Sequence, residues 1–280
     1  MCIRIFCNLS SVFCLLYSVF CIYVSSSANT TTAAVRAYWN VRIHDLEVTK
    51  HPVGSAAFFA DLDEYHFDKL HHLLRLIPFA QYGGRPILEV GCGAGTDLVR
   101  FAQHGARVTG VDIADSAIRL AEINMRQHGL NANLLVADGE QLPFREGTFD
   151  LVYAHGVVQY TADGRRLVEE CRRVLKPGGQ AIFQVYNRLS WLNALSMVMK
   201  VDLEHADAPA LRKYSIAEFR SLLASFSRVR LVPERFPVKS RLHRGWKGAL
   251  YNGVFVGAFN RLPRALVKPL GWHLLAFCER

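Results

Sequence analysis

The chain contains no C-x-x-C pair and no cysteine–histidine cluster at ligand spacing, so nothing in it prescribes a structural zinc. Its seven cysteines make no disulfide framework. Cys2, Cys7, Cys14 and Cys21 crowd into the first stretch, and Cys92, Cys171 and Cys278 are scattered through the rest. That usage suits a reduced, intracellular body. Internal repeats and low-complexity tracts are also missing. Acid is scarce in the last third: residues 188–280 carry 16 Lys/Arg against 6 Asp/Glu, while residues 1–187 carry 17 against 18. The whole net charge of +9 therefore comes from the second part. An anionic substrate, an anionic membrane surface or a nucleic acid would each answer such an asymmetry. Apolar residues are plentiful at 51 %, enough to build the core of one α/β unit of this length.

The most informative stretch is Ile87-Leu-Glu-Val-Gly-Cys-Gly-Ala-Gly95, followed by Val108-Thr-Gly-Val-Asp112. A short apolar run ends in an acid, three glycines follow at every second position, and a helix-like stretch comes next. This is the strand, tight turn and helix start of a nucleotide-binding βαβ unit, in which glycine lets backbone approach a ligand closely. Asp112 closes a second strand 21 residues after the first glycine, where a carboxylate can accept from ribose hydroxyls. The spacing departs from G-x-G-x-x-G, because the third glycine falls at the fifth position and Thr96 at the sixth. No Lys-Ser/Thr pair follows the glycines, which excludes a P-loop. Glu89 stands just ahead of the turn, where it would repel phosphate and attract positive charge. A nucleoside with free ribose hydroxyls, no phosphate and a cationic end fits: S-adenosylmethionine.

Five ordered blocks carry a family likeness. They are the glycine turn, Val136-Ala-Asp-Gly139, Phe149-Asp-Leu-Val-Tyr-Ala-His155, Arg173-Val-Leu-Lys-Pro-Gly-Gly179 and Gln180-Ala-Ile-Phe-Gln184. Together they resemble the class I S-adenosylmethionine-dependent methyltransferases over roughly residues 87–187, and look most like the ubiquinone/menaquinone C-methyltransferase branch. The resemblance implies an α/β, Rossmann-like, seven-stranded, mostly parallel sheet with helices on both faces. Alternation predicts strands at 87–91, 107–111, 133–137, 149–154 and 180–186, with helices near 95–104, 115–128 and 163–175. Arg228 to Val232 reads as a sixth strand, and Trp272 to Cys278 as a terminal strand inserted antiparallel between the fifth and sixth. Lys176-Pro-Gly-Gly179 reads as the turn that admits the fifth strand.

The resemblance also assigns cofactor-binding roles. Gly91, Cys92, Gly93 and Gly95 form the turn under the methionyl and ribose part, and Glu89 orients that loop or faces the amino group. Asp112 grips the ribose and Ile113 packs on the adenine. Asp138 and Gly139 read the adenine edge. His155, after the fourth strand, either contacts the cofactor or acts as general base, since an imidazole titrates near neutral pH. The bland alternatives are structural turns and solvated strand-end charges. Tyr153, Tyr160 and Tyr186 are cleft or packing residues, and Tyr38, Trp39 and His44 a lid or a plain amphipathic cap.

At the margins, residues 1–32 hold an apolar segment and linker. Residues 1–28 resemble a signal peptide or anchor, or an extension from a misplaced start site. Thr30 to Ala34 reads as polar linker, residues 33–84 as a helical cap with a second helix over Ser55 to Leu76, and residues 85–280 as the methyltransferase core with insertions at 188–214 and 233–271. Ser215 and Glu218 form a capping box. From Arg235 to Arg280 nine Lys/Arg meet one acid among aromatics, with an apolar helix over 248–260 that would suit anionic lipid; a substrate cap with a basic rim is the alternative. The expected enzyme methylates a small, lipophilic molecule in the cytoplasm, without a metal. A membrane-peripheral lipid or quinone methyltransferase and a silent cofactor-binding module are the alternatives. Nucleic acid ranks last, because Ala154-His-Gly-Val stands where the amino-directed DNA and RNA enzymes carry Asn/Asp-Pro-Pro-Tyr/Phe.

Overall fold

The computed structural model describes residues 30–42, 48–238 and 250–280. The apolar segment 1–28, His44 and the basic stretch 239–249 with Trp246 lie outside the described residues. Seven strands make one sheet: β1 (Pro86–Val90), β2 (Arg107–Asp112), β3 (Ala132–Val136), β4 (Phe149–His155), β5 (Leu175–Tyr186), β6 (Arg228–Glu234) and β7 (His273–Glu279). Their order is β3-β2-β1-β4-β5-β7-β6. β1 to β5 pair in parallel, and β7 runs antiparallel between β5 and β6, as expected.

Strand residues alternate between faces, and the two cores follow that alternation. Leu88, Val90, Val152, Ala154, Phe183 and Ala276 pack on one side with helices α6 (Gly164–Val174) and α8 (Ile216–Leu222). Ile87, Val108, Leu151, Tyr153, Ile182 and Leu275 pack on the other, where α2 (Ala56–Lys69), α3 (His72–Leu76) and α4 (Thr96–Gln103) bring Phe67, Leu73 and Phe101. Helix α5 (Asp115–Gln127) covers β2 and β3, and α7 (Trp191–Met199) lies between β5 and α8. Ser215 caps α8 through the expected box, with its hydroxyl accepting from the Glu218 amide and Glu218 accepting from the Ser215 amide.

Three local expectations need correction. Residues 30–34 are not linker but the opening of helix α1 (30–41), because the alanines and arginine that follow favour helix and Val35 buries against the body. The helix expected over 55–76 is two helices, α2 and α3; the chain leaves helical geometry at Leu70, whose φ/ψ are −119°/37°. Lys176 to Gly179 lies inside β5 rather than before it. The register slips there, so that Phe149 faces Leu175 while Leu151 faces Gln180, and Gly178 takes φ +73°. The turn chemistry is therefore spent on a bulge.

Candidate functional site

Strand order reverses between β2 and β4 on either side of β1, and a cavity opens at the carboxyl ends of these strands. Its floor is the glycine turn. Gly91 has φ +71°, and a Cβ there would stand 2.2 Å from Val157 Cγ2. Gly93 has φ +52° and no heavy atom within 4 Å of its would-be Cβ, so its backbone faces open space. The turn is tied to the end of β2: Asp112 Oδ2 accepts from the Gly93 amide at 2.9 Å and Oδ1 from the Ala114 amide at 2.9 Å. Each oxygen keeps a further lone pair. Burial raises the Asp112 carboxyl above its ordinary value, against those backbone donors. Asp138 Oδ1 accepts from the Glu140 amide at 2.8 Å and so shapes the turn after β3.

The turn is flanked by acid. Glu89, 4 % exposed, lines the cavity, and its Oε2 has no hydrogen-bond partner among the described residues. Burial first, and then Asp97 and Asp112, push its carboxyl well above the usual range. Asp97, in the first turn of α4, is equally enclosed; its Oδ2 accepts from the Tyr153 hydroxyl at 3.1 Å, and His66 Nε2 lies 3.3 Å from Oδ1. Burial works against its charge, but His66 and Tyr153 hold it below its ordinary value. A pocket with Glu89, Asp97, Asp112 and Asp138 in its wall disfavours phosphate and favours a cation.

Of the residues expected at the site, Glu89, Gly91, Cys92, Gly93, Asp112, Ile113, Asp138, Gly139 and His155 all line this one cavity. Gly95 does not. Its Cβ position points at Ala121 Cβ, 3.2 Å away, and its φ of +78° serves the start of α4 against α5. Tyr153 is a packing residue, 1 % exposed and bonded to Asp97. Tyr160, Tyr186 and Trp39 reach the cavity, whereas Tyr38 turns outward to Asp207 and His205. His155 stacks on Tyr153 with ring centroids 6.0 Å apart, and the His66 and His273 rings each lie 6.0 Å from it. Neither motif nor spacing singled out His66, Asp97, Arg235 or His273. Only Asp97 had a local signal, as an acid in the first turn after the glycines.

Comparison with known proteins agrees with this geometry. Residues 88–183 match the family model described as a methyltransferase domain. A ubiquinone biosynthesis O-methyltransferase of Coxiella burnetii is 36 % identical over 105 residues, which is 38 % of this chain and 45 % of that enzyme. The enzyme of the same name from Erwinia tasmaniensis is 33 % identical over 141 residues, covering 47 % of this chain and 58 % of its own length. The chain thus spans about half the length of these curated relatives. Among solved structures, magnesium protoporphyrin IX methyltransferase from Synechocystis PCC 6803, with bound SAH, superposes with a TM-score of 0.57 at 15 % identity, over 89 % of this chain and 99 % of that one. Sheet order and cavity define the class I, Rossmann-like methyltransferase fold. The chain carries at its centre, over residues 88–183, a segment that matches the methyltransferase domain, and it is similar there to S-adenosylmethionine-dependent methyltransferases of that fold.

Proposed function

We propose that the protein transfers a methyl group from S-adenosylmethionine to a small molecule held in the far part of the same cavity. The observation that carries this reading is the acid-walled glycine turn, with Gly93 open to the cavity and Asp112 fixed at the end of β2. The bound cofactor would supply a sulfonium methyl that is already activated, so the chain's part is to hold both partners in line and exclude water. Asp112 takes the ribose hydroxyls through its spare lone pairs. Asp138 and the Gly139 amide meet the adenine edge, and Ile113 lies against its face. Glu89 and Asp97 offset the positive charge at the methionyl end. His155 stands beside them at the end of β4, placed to hold the acceptor or take its proton. The relatives' name makes an oxygen acceptor the first to test.

The test is transfer of labelled methyl from S-adenosylmethionine to a panel of phenols and small acids, with Asp112→Ala alongside. That variant removes the carboxylate that accepts from the Gly93 and Ala114 amides and, with it, the proposed ribose contact. The apparent KM for the cofactor should rise about tenfold or more, with a smaller change in the acceptor's KM. An unchanged cofactor KM would contradict the assignment.

A second reading, docking on an anionic membrane, has one observation in its favour. Met197, Val198, Met199 and Val201, at and just beyond the end of α7, are 59–79 % exposed in the strongly basic last third of the chain. No helix among the described residues is long and apolar enough to cross a membrane. Sedimentation with anionic vesicles, weakened by Met197→Ser with Val198→Ser, would support docking; equal binding by that variant would not.

A further inference from the structure

The acceptor end of the cavity is built where three neighbouring strands finish side by side. Tyr186 closes β5, His273 opens β7, and Arg235 follows Glu234, the last residue of β6. The registers pair Tyr186 with His273 and His273 with Glu234. All three side chains line the cavity. Arg235 takes φ +58°, a left-handed conformation that L side chains rarely adopt. It is held there because its carbonyl accepts from Trp191 Nε1 at 2.8 Å and from the Trp272 amide at 3.4 Å. A strained backbone at a cavity wall is a reason to ask what the side chain does.

The guanidinium answers in part. Arg235 Nη1 lies 3.1 Å from His273 Nε2. His273 is 2 % exposed; burial first, and then Arg235, hold its imidazole well below its ordinary pKa, so the ring is neutral and Nε2 is the acceptor. The proton of the neutral ring then sits on Nδ1, which is buried without a hydrogen-bond partner among the described residues. Other cavity cations have carboxylates, Arg42 with Asp207 and Lys69 with Glu204. Arg235 has no carboxylate partner among the described residues. The corner therefore offers guanidinium N–H groups with no carboxylate bonded to them among the described residues, while the His273 imidazole holds the guanidinium through Nε2 and keeps Nδ1 buried. Around it the walls are aromatic: Tyr186 stacks on Trp272 at 4.5 Å and 15°, and Tyr160 meets Trp39 edge-on at 5.1 Å.

From this we infer that Arg235 and His273 form an anion clamp for the methyl acceptor, and that the acceptor is an aromatic carboxylic acid. The planar fork of Arg235 suits a carboxylate, His273 orients that fork by accepting from Nη1, and the aromatic walls take the ring. This inference rests on the proposed methyltransfer, since it names the substrate class of that same cavity. Arg235 and His273 would fix orientation and specificity. The methyl-transfer chemistry stays with the groups near the turn.

The test is binding of benzoate and of benzamide to the full chain saturated with S-adenosylhomocysteine, followed by ligand-detected NMR. The two probes share a ring and differ in charge. Benzoate should bind about tenfold more tightly than benzamide. Arg235→Gln should abolish the preference while leaving S-adenosylhomocysteine affinity within about twofold, since the charge lost lies on the acceptor side. Arg235→Gly relieves the left-handed strain, so it should fold at least as well as the parent and still lose the preference. Equal binding of the two probes, absence of benzoate binding, or a preference surviving both substitutions would overturn the inference. If S-adenosylhomocysteine itself fails to bind, the methyltransferase reading falls instead; a benzoate preference then measured on the cofactor-free chain, and lost in Arg235→Gly, would still uphold the clamp.

Discussion

Two alanine substitutions in the glycine turn should separate folding from cofactor binding. Both Gly91 and Gly93 sit at positive φ, +71° and +52°, so either alanine incurs about 1–2 kcal/mol of left-handed strain. Their surroundings differ. The new methyl at Gly91 would lie 2.2 Å from Val157 Cγ2, and either that side chain or the turn must move; such overpacking adds about 1–3 kcal/mol. At Gly93 the methyl meets no protein atom within 4 Å. Gly91→Ala should therefore destabilise by about 2–5 kcal/mol and Gly93→Ala by about 1–2, read as a shifted urea midpoint with unchanged m value. Calorimetry with S-adenosylhomocysteine should rank them the other way, because the Gly93 methyl occupies the space through which the ligand meets the backbone. Affinity should fall about tenfold or more in Gly93→Ala, a loss of roughly 1.4 kcal/mol or beyond. Equal destabilisation by the two alanines, or full cofactor affinity in Gly93→Ala, would refute the reasoning.

Two further outcomes follow from buried titratable groups. Burial first, and then Asp97 and Asp112, raise the Glu89 carboxyl well above the usual range, and a cationic ligand bound beside it should draw it back down and so favour loss of its proton. Titrations in buffers of different ionisation enthalpy should show proton release that vanishes in Glu89→Gln; identical heats in all buffers would contradict this. His72 is buried with neither ring nitrogen hydrogen-bonded among the described residues, and burial first, then His155, brings its pKa down to about 3. The unfolded chain takes up a proton near pH 6.5 and the folded one does not. Its contribution to stability is therefore intact above about pH 6.5 and is lost as pH falls from there toward 3. His72→Phe should flatten that acid limb by about 1.4 kcal/mol per pH unit in denaturant titrations, and an unaltered slope would count against a neutral buried His72.

The sheet was legible because β1 to β5 and their helices leave two strong local traces: apolar runs of strand length, and turns rich in glycine and acid. The glycine-turn side of the cavity was legible for the same reason. Gly91, Gly93, Asp112, Asp138 and Gly139 reach the cavity from turns and strand ends, which short segments encode. Gly95 does not line the cavity, because the spacing of a turn does not say which of its glycines faces open space and which meets a neighbouring helix. The opposite side of the cavity left fainter traces. Trp39, Tyr160 and Tyr186 could be named from their segments, but His66, Arg235 and His273 come from α2, the end of β6 and the start of β7, and only the antiparallel insertion of β7 brings the last two together. The basic excess beyond residue 187 hinted at an anion. Arg42 and Lys69 in the cavity wall are answered by Asp207 and Glu204, however, and Arg235 could not have been singled out by counting charges.

The most direct test is competitive calorimetry on the purified full chain with S-adenosylhomocysteine, NAD and ATP. Saturable one-to-one binding of S-adenosylhomocysteine, undisturbed by an excess of either phosphate-bearing nucleotide, is the expected result. Capture of NAD or ATP in its place would contradict an acid-walled turn shaped for a phosphate-free adenosine.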